Sequence, residues 1–315
     1  TSRGLVDVYK RQCNNNSNYY NGMVSSAHPI SSKIGLDILK NGGNAFDAAI
    51  AVHFALSVVY PNAGNIGGGG FLVYRLNNGD IGTLDFREKA PEKSYRDMYI
   101  DNIEGELKVD DKRSKIGHLA SGVPGSVDGM VKIYDKFSTV DWKTLLEPSI
   151  KVAREGFGVT EKQAKGLNNV KKSLVSANDH PIPFVKEDQW KVGDILTQKN
   201  LAKTLEEIKK SKRDGFYKGA VAKLIINEMK SGGGIITQSD LDNYSSVWRE
   251  PIIGYFKNHK IISMGPPSSG GIALVQLLHG AEQLETKKYD HNSLKYINTF
   301  AEIESRVYDD RATHL

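Results

Sequence analysis

The sequence predicts a mixed α/β fold in which layers of sheet and helix pack together. Two short pairs of apolar runs, one near each end of the chain, predict β-hairpins, and segments with helical periodicity and clear start and stop signals lie between them. The 315 residues suffice for one large core or two small ones, and we expect one domain or a fragment of one.

Turn and cap residues divide the first third of the chain into elements. The Asn-Gly pair within Asn77-Asn78-Gly79-Asp80 is the clearest local signal and predicts a hairpin. The predicted elements are a strand at 23–27, a helix capped by Ser31 or Ser32 and ended by Gly42-Gly43, an Ala-rich helix from the cap Asn44 to about Val59, a glycine-rich loop at 62–70, and hairpin strands at 71–76 and 81–86.

Helical patterns dominate the remainder. In the segment 143–154, Leu146, Ile150 and Ala153 share one face, and Pro148 predicts a break into two pieces. The other predicted elements are a polar surface excursion at 94–115, a turn at 122–125 before a helix at 127–137, a helix after the cap Thr197, a helix at 220–230, a capping box at 237–240, a hairpin of 252–256 with 260–264, a helix at 272–283, and a final helix after the cap Asn292 with Leu294, Ile297, Ala301, Val307 and Tyr308 in line.

Composition excludes several functional classes. The net charge of +5 is spread along the chain, and its densest basic stretch, residues 209–213, is typical of a solvated helix end; we expect no nucleic-acid partner. The single cysteine, Cys13, has no partner for an intramolecular disulfide, and the histidines show no metal-ligand spacing, so we expect no metal and no cofactor. The longest apolar run, 48–59, is too short for a membrane span.

The first 21 residues are predicted to be a disordered or non-native tail. Residues 1–12 have no initiator Met and no pattern in common with the rest of the chain. Cys13 precedes a polar tether, which resembles the lipidated start of a mature bacterial lipoprotein; an ordinary cysteine in a disordered tail explains it equally well.

Arg87 is the best single candidate for a binding residue. It directly follows a predicted strand, and a guanidinium at a strand end can bind a carboxylate through two hydrogen bonds. The alternative is a structural salt bridge to Asp85 or Glu88, which the residues alone favour.

Other polar or glycine-rich groups favour structural interpretations. The run at 67–70 lacks the residues of a phosphate loop and predicts close approach of the backbone to a bulky neighbour. Ser268-Ser269 before a helix predicts a simple cap more than an anion site. Asp47 in the Ala-rich helix is predicted to be a hydrogen-bonded structural residue, and Asp128 and Asp214 show no paired acid–base pattern.

Six strings in order resemble gamma-glutamyltransferases over residues 22–315. The first is His28-Pro29 with Gly35 and Leu39, followed by Gly42-Gly43-Asn44-Ala45-Phe46-Asp47-Ala48-Ala49. The others are Gly64-Asn65-Ile66-Gly67-Gly68-Gly69-Gly70-Phe71, Asp85-Phe86-Arg87-Glu88-Lys89-Ala90-Pro91, Gly122-Val123-Pro124-Gly125, Asp214-Gly215-Phe216-Tyr217-Lys218-Gly219 and Gly265-Pro266-Pro267-Ser268-Ser269-Gly270-Gly271. The resemblance implies an N-terminal-nucleophile hydrolase with an αββα sandwich, whose precursor cuts itself into a large and a small subunit. It also implies that Arg87 binds the α-carboxylate of the donor, usually glutathione, before transfer of the glutamyl group to water or to an amino acid or peptide acceptor.

The nucleophilic threonine of that family follows a further stretch beyond the last predicted helix, so we expect no catalytic residue in this chain. We also expect the sandwich to be incomplete and the chain to be inactive without the small subunit. Thr313 lies too early and is interpreted as an ordinary residue. A related glutaryl or cephalosporin acylase and a non-catalytic carboxylate-binding module remain alternatives. Family habit in bacteria implies a periplasmic or extracellular location, and Cys13 before its polar tether is a separate indication of a lipid anchor.

Overall fold

The computed structural model describes residues 22–103, 106–110 and 112–315. The predicted tail at 1–21 and Cys13 lie outside the described residues. The chain divides into two compact units, each built from two segments. The first unit combines the residues up to Asn65 with Ile133–Ser211, and the second combines Ile66–Lys132 with Lys212–Leu315.

Helices and strands occur in both units. The helices are α1 (Pro29–Lys40), α2 (Ala45–Val59), α3 (Ser126–Phe137), α4 (Trp142–Glu155), α5 (Glu161–Ser176), α6 (Lys199–Ser211), α7 (Asp214–Tyr217), α8 (Gly219–Ser231), α9 (Gln238–Asn243), α10 (Gly270–Gln283) and α11 (Leu294–His314), with short 3₁₀ turns at His118–Ala120 and Thr286–Lys288. The strands are β1 (Phe71–Arg75), β2 (Ile81–Asp85), β3 (Ile100–Ile103), β4 (Glu106–Val109), β5 (Phe157–Gly158), β6 (Ile195–Leu196), β7 (Val247–Arg249), β8 (Ile252–Phe256) and β9 (His259–Ser263).

The core of the first unit is helical. Helix α2 packs against α1 and α4, and α4 packs against α6. Trp142 lies at the centre, edge-on to Phe54 at 5.7 Å between ring centroids, and its indole N–H donates to the Ile208 carbonyl at 3.0 Å. Because a fully buried Leu or Ile contributes about 1.5–3 kcal/mol through the hydrophobic effect, this apolar core is the main stabilising contribution in the unit.

The start of α2 confirms two predictions. The Asn44 side chain accepts hydrogen bonds from the N–H groups of Phe46 and Asp47, and the Asp47 carboxylate accepts the Asn44 N–H at 2.8 Å, which completes a capping box. Asp47 is fully buried and also accepts the Thr139 hydroxyl at 2.8 Å. Asp47 therefore joins the helix start to the loop before α4, as the structural interpretation predicted.

The second unit contains a three-stranded antiparallel sheet in the order β1-β2-β7. In the predicted hairpin, Phe71 faces Asp85 and Arg75 faces Ile81, and Gly79 has the positive φ of +94° that the tight turn requires. On the other side of β2, Thr83 pairs with Arg249 of β7. The second predicted hairpin, β8–β9, packs against α10, which in turn contacts α11.

Several predicted boundaries and elements are wrong. Residues 23–27 belong to no strand of the described chain; instead Val24 packs against α1 beside Gly35. Helix α1 begins at Pro29, because proline suits the first turn and His28 caps it by accepting the Ile30 N–H at 3.2 Å. The final helix is capped by Ser293 rather than Asn292.

Two further predictions need correction. Pro148 does not break α4, which continues to Glu155 because Leu146 and Ile150 bury the same face on both sides of the proline. The predicted surface excursion at 94–115 contains the hairpin β3–β4, whose second strand is exposed along its length. On α11 the buried residues are Ile303 and Val307, whereas Leu294, Ile297, Ala301 and Tyr308 are exposed.

Two residues of the basic stretch at 209–213 form ion pairs with acidic neighbours. Lys209 forms ion pairs with Glu147 at 2.9 Å and Glu206 at 2.7 Å. Arg213 forms an ion pair with Asp128 at 2.9 Å. None of the described helices is long and apolar enough to cross a membrane.

Candidate carboxylate-binding site

Arg87 lies two residues beyond the end of β2, the central strand of the sheet in the second unit. Its side chain is exposed, and its guanidinium carbon lies 6.0 Å from the centre of the Phe71 ring at the start of β1. No ion pair involves this guanidinium among the described residues. A cation that is fixed at a strand end and keeps its donors available can bind an anionic ligand.

The salt bridge that the residues alone favoured is not formed. Asp85 is buried, and one of its carboxylate oxygens accepts the Nε–H of Arg249 on β7 at 2.8 Å. The other oxygen accepts the backbone N–H of Arg87 at 3.0 Å. Asp85 therefore holds the main chain of Arg87, while Arg249 balances its charge.

The glycine-rich loop lies against the main chain around Arg87, as predicted. A Cβ atom at Gly69 would lie 2.5 Å from the Phe86 carbonyl oxygen and 2.8 Å from the Arg87 Cα. A Cβ at Gly70 would lie 2.9 Å from the Phe86 ring. Gly70 and Phe86 also exchange two backbone hydrogen bonds, which continue the β1–β2 ladder by one step. Only glycine permits this approach, so the loop is structural here.

The turn at 122–125 fixes the other side of the loop. The N–H groups of Gly125 and Ser126 both donate to the Gly68 carbonyl, at 2.8 and 3.0 Å. Two residues beyond Arg87, Lys89 exchanges backbone hydrogen bonds with Val123 of the same turn. The main chain on both sides of Arg87 is thus held by the Gly-rich loop and by this turn.

An ion pair between buried Asp128 and half-buried Arg213 was not found from the sequence. Asp128 is 3% exposed and accepts the Arg213 Nε–H at 2.9 Å and the Ser246 N–H at 2.8 Å. The Nη2 atom of Arg213 donates to three carbonyls at the end of α9, those of Leu241, Asp242 and Tyr244. Asp128 and Arg213 are 85 residues apart, so no local pattern indicates the pair.

Two buried tyrosines join this pair to the site. The Tyr244 hydroxyl donates to the Arg87 carbonyl at 2.7 Å, and the Tyr217 hydroxyl donates to the Pro124 carbonyl at 2.8 Å. Burial raises the pKa of both phenols, so both remain protonated hydrogen-bond donors.

The two serines before α10 form hydrogen bonds with the protein itself. Ser269 makes no capping bond; its hydroxyl accepts the Arg311 Nε–H at 2.8 Å, so the predicted simple cap is wrong for this residue. Ser268 accepts the Gly270 N–H at 3.3 Å. Among the described residues, no group of three or more His, Cys, Asp or Glu side chains is placed to hold a metal ion.

Solved structures share this fold. The gamma-glutamyltranspeptidase of Helicobacter pylori superposes with a TM-score of 0.91 and 43% identity over 95% of this chain and 86% of that chain. The gamma-glutamyltranspeptidase of Pseudomonas nitroreducens superposes with a TM-score of 0.88 and 40% identity over 94% and 87%. The class that the fold defines is therefore that of the N-terminal-nucleophile hydrolases, whose fold is an αββα sandwich.

A family model described as gamma-glutamyltranspeptidase matches residues 31–315, and the chain belongs to this family. The glutathione hydrolase proenzyme of Escherichia coli K12 is 43% identical over 93% of this chain. The chain spans about half the length of the curated relatives it matches, 50% in this case.

Proposed function

We propose that this chain is the large-subunit region of a gamma-glutamyltransferase, which cleaves the gamma-glutamyl amide of glutathione and passes the glutamyl group to water or to an amino acid or peptide acceptor. One observation carries the proposal: Arg87 presents an exposed guanidinium with no ion-pair partner among the described residues, on a main chain held at both its N–H and its carbonyl. It lies in the string that resembles the family's carboxylate-binding motif.

Arg87 binds the α-carboxylate of the glutamyl donor in this proposal. The planar guanidinium offers two parallel N–H donors to the two carboxylate oxygens, and such charge-assisted pairs fix orientation as well as adding affinity. Lysine presents a single rotatable ammonium group and does not reproduce this geometry. Because the Asp85 carboxylate is occupied by Arg249 and the Arg87 N–H, it leaves the guanidinium available to the substrate.

A small subunit from the same precursor is the proposed partner and supplies the nucleophilic threonine. Its hydroxyl attacks the amide carbon and its own amine takes the proton, which passes to the leaving amine as the carbon–nitrogen bond breaks. Water or an acceptor amine then attacks the resulting ester and releases the threonine hydroxyl. Two coverages support a two-chain enzyme. The chain covers 50% of a relative named a proenzyme, but 86% of one chain of a solved transpeptidase, as expected if the solved chain is one of two subunits cut from a longer precursor.

Hydrolysis of gamma-glutamyl-p-nitroanilide by the full-length gene product, beside the 315-residue chain alone, tests the proposal. Self-cleavage and activity in the full-length product, with none in the chain alone, are expected. Preference for a glutaryl amide would favour the acylase alternative, and inactivity on both amides would favour the carboxylate-binding module. Activity of the chain alone would mean that the nucleophile lies within it.

A periplasmic or extracellular location, with Cys13 as a lipid anchor, is a separate proposal that rests on the sequence alone. Incorporation of labelled palmitate into the native protein, and its loss in Cys13→Ala, would support the anchor. Absence of label would contradict it.

A further inference from the structure

We propose that Tyr244 is a positioning residue for Arg87: its hydroxyl fixes the main chain from which the carboxylate-binding guanidinium projects. The inference rests on the proposed function of Arg87. It adds a residue that lies 157 positions further along the chain and shares no sequence motif with Arg87.

The position of the Arg87 guanidinium depends on its main chain. The side chain is exposed and forms no ion pair among the described residues, so beside its contact with the Phe71 ring at 6.0 Å the main chain sets its placement. Asp85 accepts the Arg87 N–H at 3.0 Å, and the Tyr244 hydroxyl donates to the Arg87 carbonyl at 2.7 Å. The tyrosine therefore completes a two-sided hold on this residue.

Tyr244 is itself held rigidly. It is 3% exposed, and its ring stacks on Tyr217 with 5.8 Å between centroids and 8° between planes. Its carbonyl accepts the Nη2–H of Arg213 at 2.7 Å. Burial, reinforced by the carboxylate of Asp128, raises the pKa of the phenol, so the hydroxyl remains a donor at neutral pH.

The local packing is shaped to admit this contact. A Cβ atom at Gly125 would lie 2.1 Å from the Tyr244 hydroxyl and 2.0 Å from the Phe86 carbonyl oxygen. Any side chain at position 125 would therefore push the tyrosine away from the strand end. The absence of a side chain at this position is a condition for the Tyr244–Arg87 hydrogen bond.

Removing the hydroxyl should weaken binding of the donor and leave the chemical step intact. Tyr244→Phe keeps the ring stacked on Tyr217 and removes only the bond to Arg87. We expect KM for gamma-glutamyl-p-nitroanilide to rise roughly threefold to tenfold, the effect of one ordinary hydrogen bond, and kcat to change by less than about twofold.

The experiment uses the full-length gene product and a matched control. Tyr99→Phe also removes a tyrosine hydroxyl that donates to a backbone carbonyl, that of Leu119 at 2.9 Å, and should leave KM unchanged. Gly125→Ala would place a Cβ 2.1 Å from the Tyr244 hydroxyl and 2.0 Å from the Phe86 carbonyl oxygen, so it should raise KM at least as much as Tyr244→Phe does. In an Arg87→Lys background, Tyr244→Phe should add little to KM, because residues that act through one another are not additive.

An unchanged KM in Tyr244→Phe, an equal effect in Tyr99→Phe, or full additivity with Arg87→Lys would overturn the inference. If Arg87→Lys raises KM and Tyr244→Phe does not, the positioning role alone fails. If Arg87→Lys leaves KM unchanged, the proposed function of Arg87 fails and the positioning role fails with it.

Discussion

Gly69→Ala tests how closely the glycine-rich loop and the Arg87 segment are packed. The added Cβ would lie 2.5 Å from the Phe86 carbonyl oxygen, 2.7 Å from the Glu88 nitrogen and 2.8 Å from the Arg87 Cα. All three are backbone atoms, so no flexible side chain can move aside. Ordinary contacts begin near 3.4 Å, and the loop and the strand end must therefore separate by about 0.9 Å.

The expected cost of Gly69→Ala is about 1–3 kcal/mol, the usual range for overpacking. At about 2–4 °C per kcal/mol for a domain of this size, the melting temperature should fall by roughly 2–12 °C. Because the separation moves Arg87, KM for the gamma-glutamyl donor should rise as well. The assay is thermal unfolding with steady-state kinetics on the full-length product.

Gly166→Ala is the matched control for Gly69→Ala. Gly166 lies inside α5, and beyond the adjacent backbone of its own helix no described atom lies within 4 Å of the Cβ position, so alanine should stabilise the helix by about 0.5–1 kcal/mol. A Gly69→Ala protein with an unchanged melting temperature and KM would refute the close-packing argument.

The remaining predictions concern the buried charges and histidines. Asp128→Asn leaves Arg213 without its anion and should destabilise the protein by about 2–4 kcal/mol in urea unfolding. The control Asp214→Asn disturbs only the exposed pair with Lys218 and should have no measurable effect. Equal urea midpoints for the two variants would contradict the role given to Asp128. Burial lowers the pKa of His53 to about 4, so the unfolded chain binds a proton that the folded chain does not. Stability should therefore rise with pH between about 4 and 6.5 by about 2–3 kcal/mol, and burial of His28, whose pKa is also lowered, adds to this in the same direction. His53→Leu should flatten the pH dependence, and an unaltered dependence would contradict the assignment.

Local signals in the sequence predicted most elements correctly. The Asn44 and Thr237 capping boxes and the Asn-Gly turn act over three or four residues, so their chemistry is visible in the sequence itself. The position of Arg87 beyond a strand end was predictable from the same hairpin. The predicted helix caps were wrong by one to four residues where more than one nearby residue can start the helix. This happened at α1, which begins at Pro29, and at α11, which is capped by Ser293.

The contacts that shape the site could not be predicted, because they join distant segments. Asp85 pairs with Arg249 across 164 residues, and Tyr244 reaches Arg87 across 157. Sequence spacing alone indicates Arg87 as the ion-pair partner of Asp85. The pairing of β2 with β7 brings Arg249 next to Asp85 instead. The apolar residues of α11 were likewise only partly predictable. Periodicity identified a line of apolar residues along the helix, but not which of them the rest of the protein buries.

The central claim is that Arg87 binds the α-carboxylate of the gamma-glutamyl donor. The most direct measurement is KM for gamma-glutamyl-p-nitroanilide in the full-length product and in its Arg87→Lys variant, with Arg249→Lys as a cationic control. Loss of a bidentate charge-assisted pair should raise KM by about one to two orders of magnitude in Arg87→Lys, with a much smaller change in Arg249→Lys. An unchanged KM in Arg87→Lys would remove this arginine from the donor site.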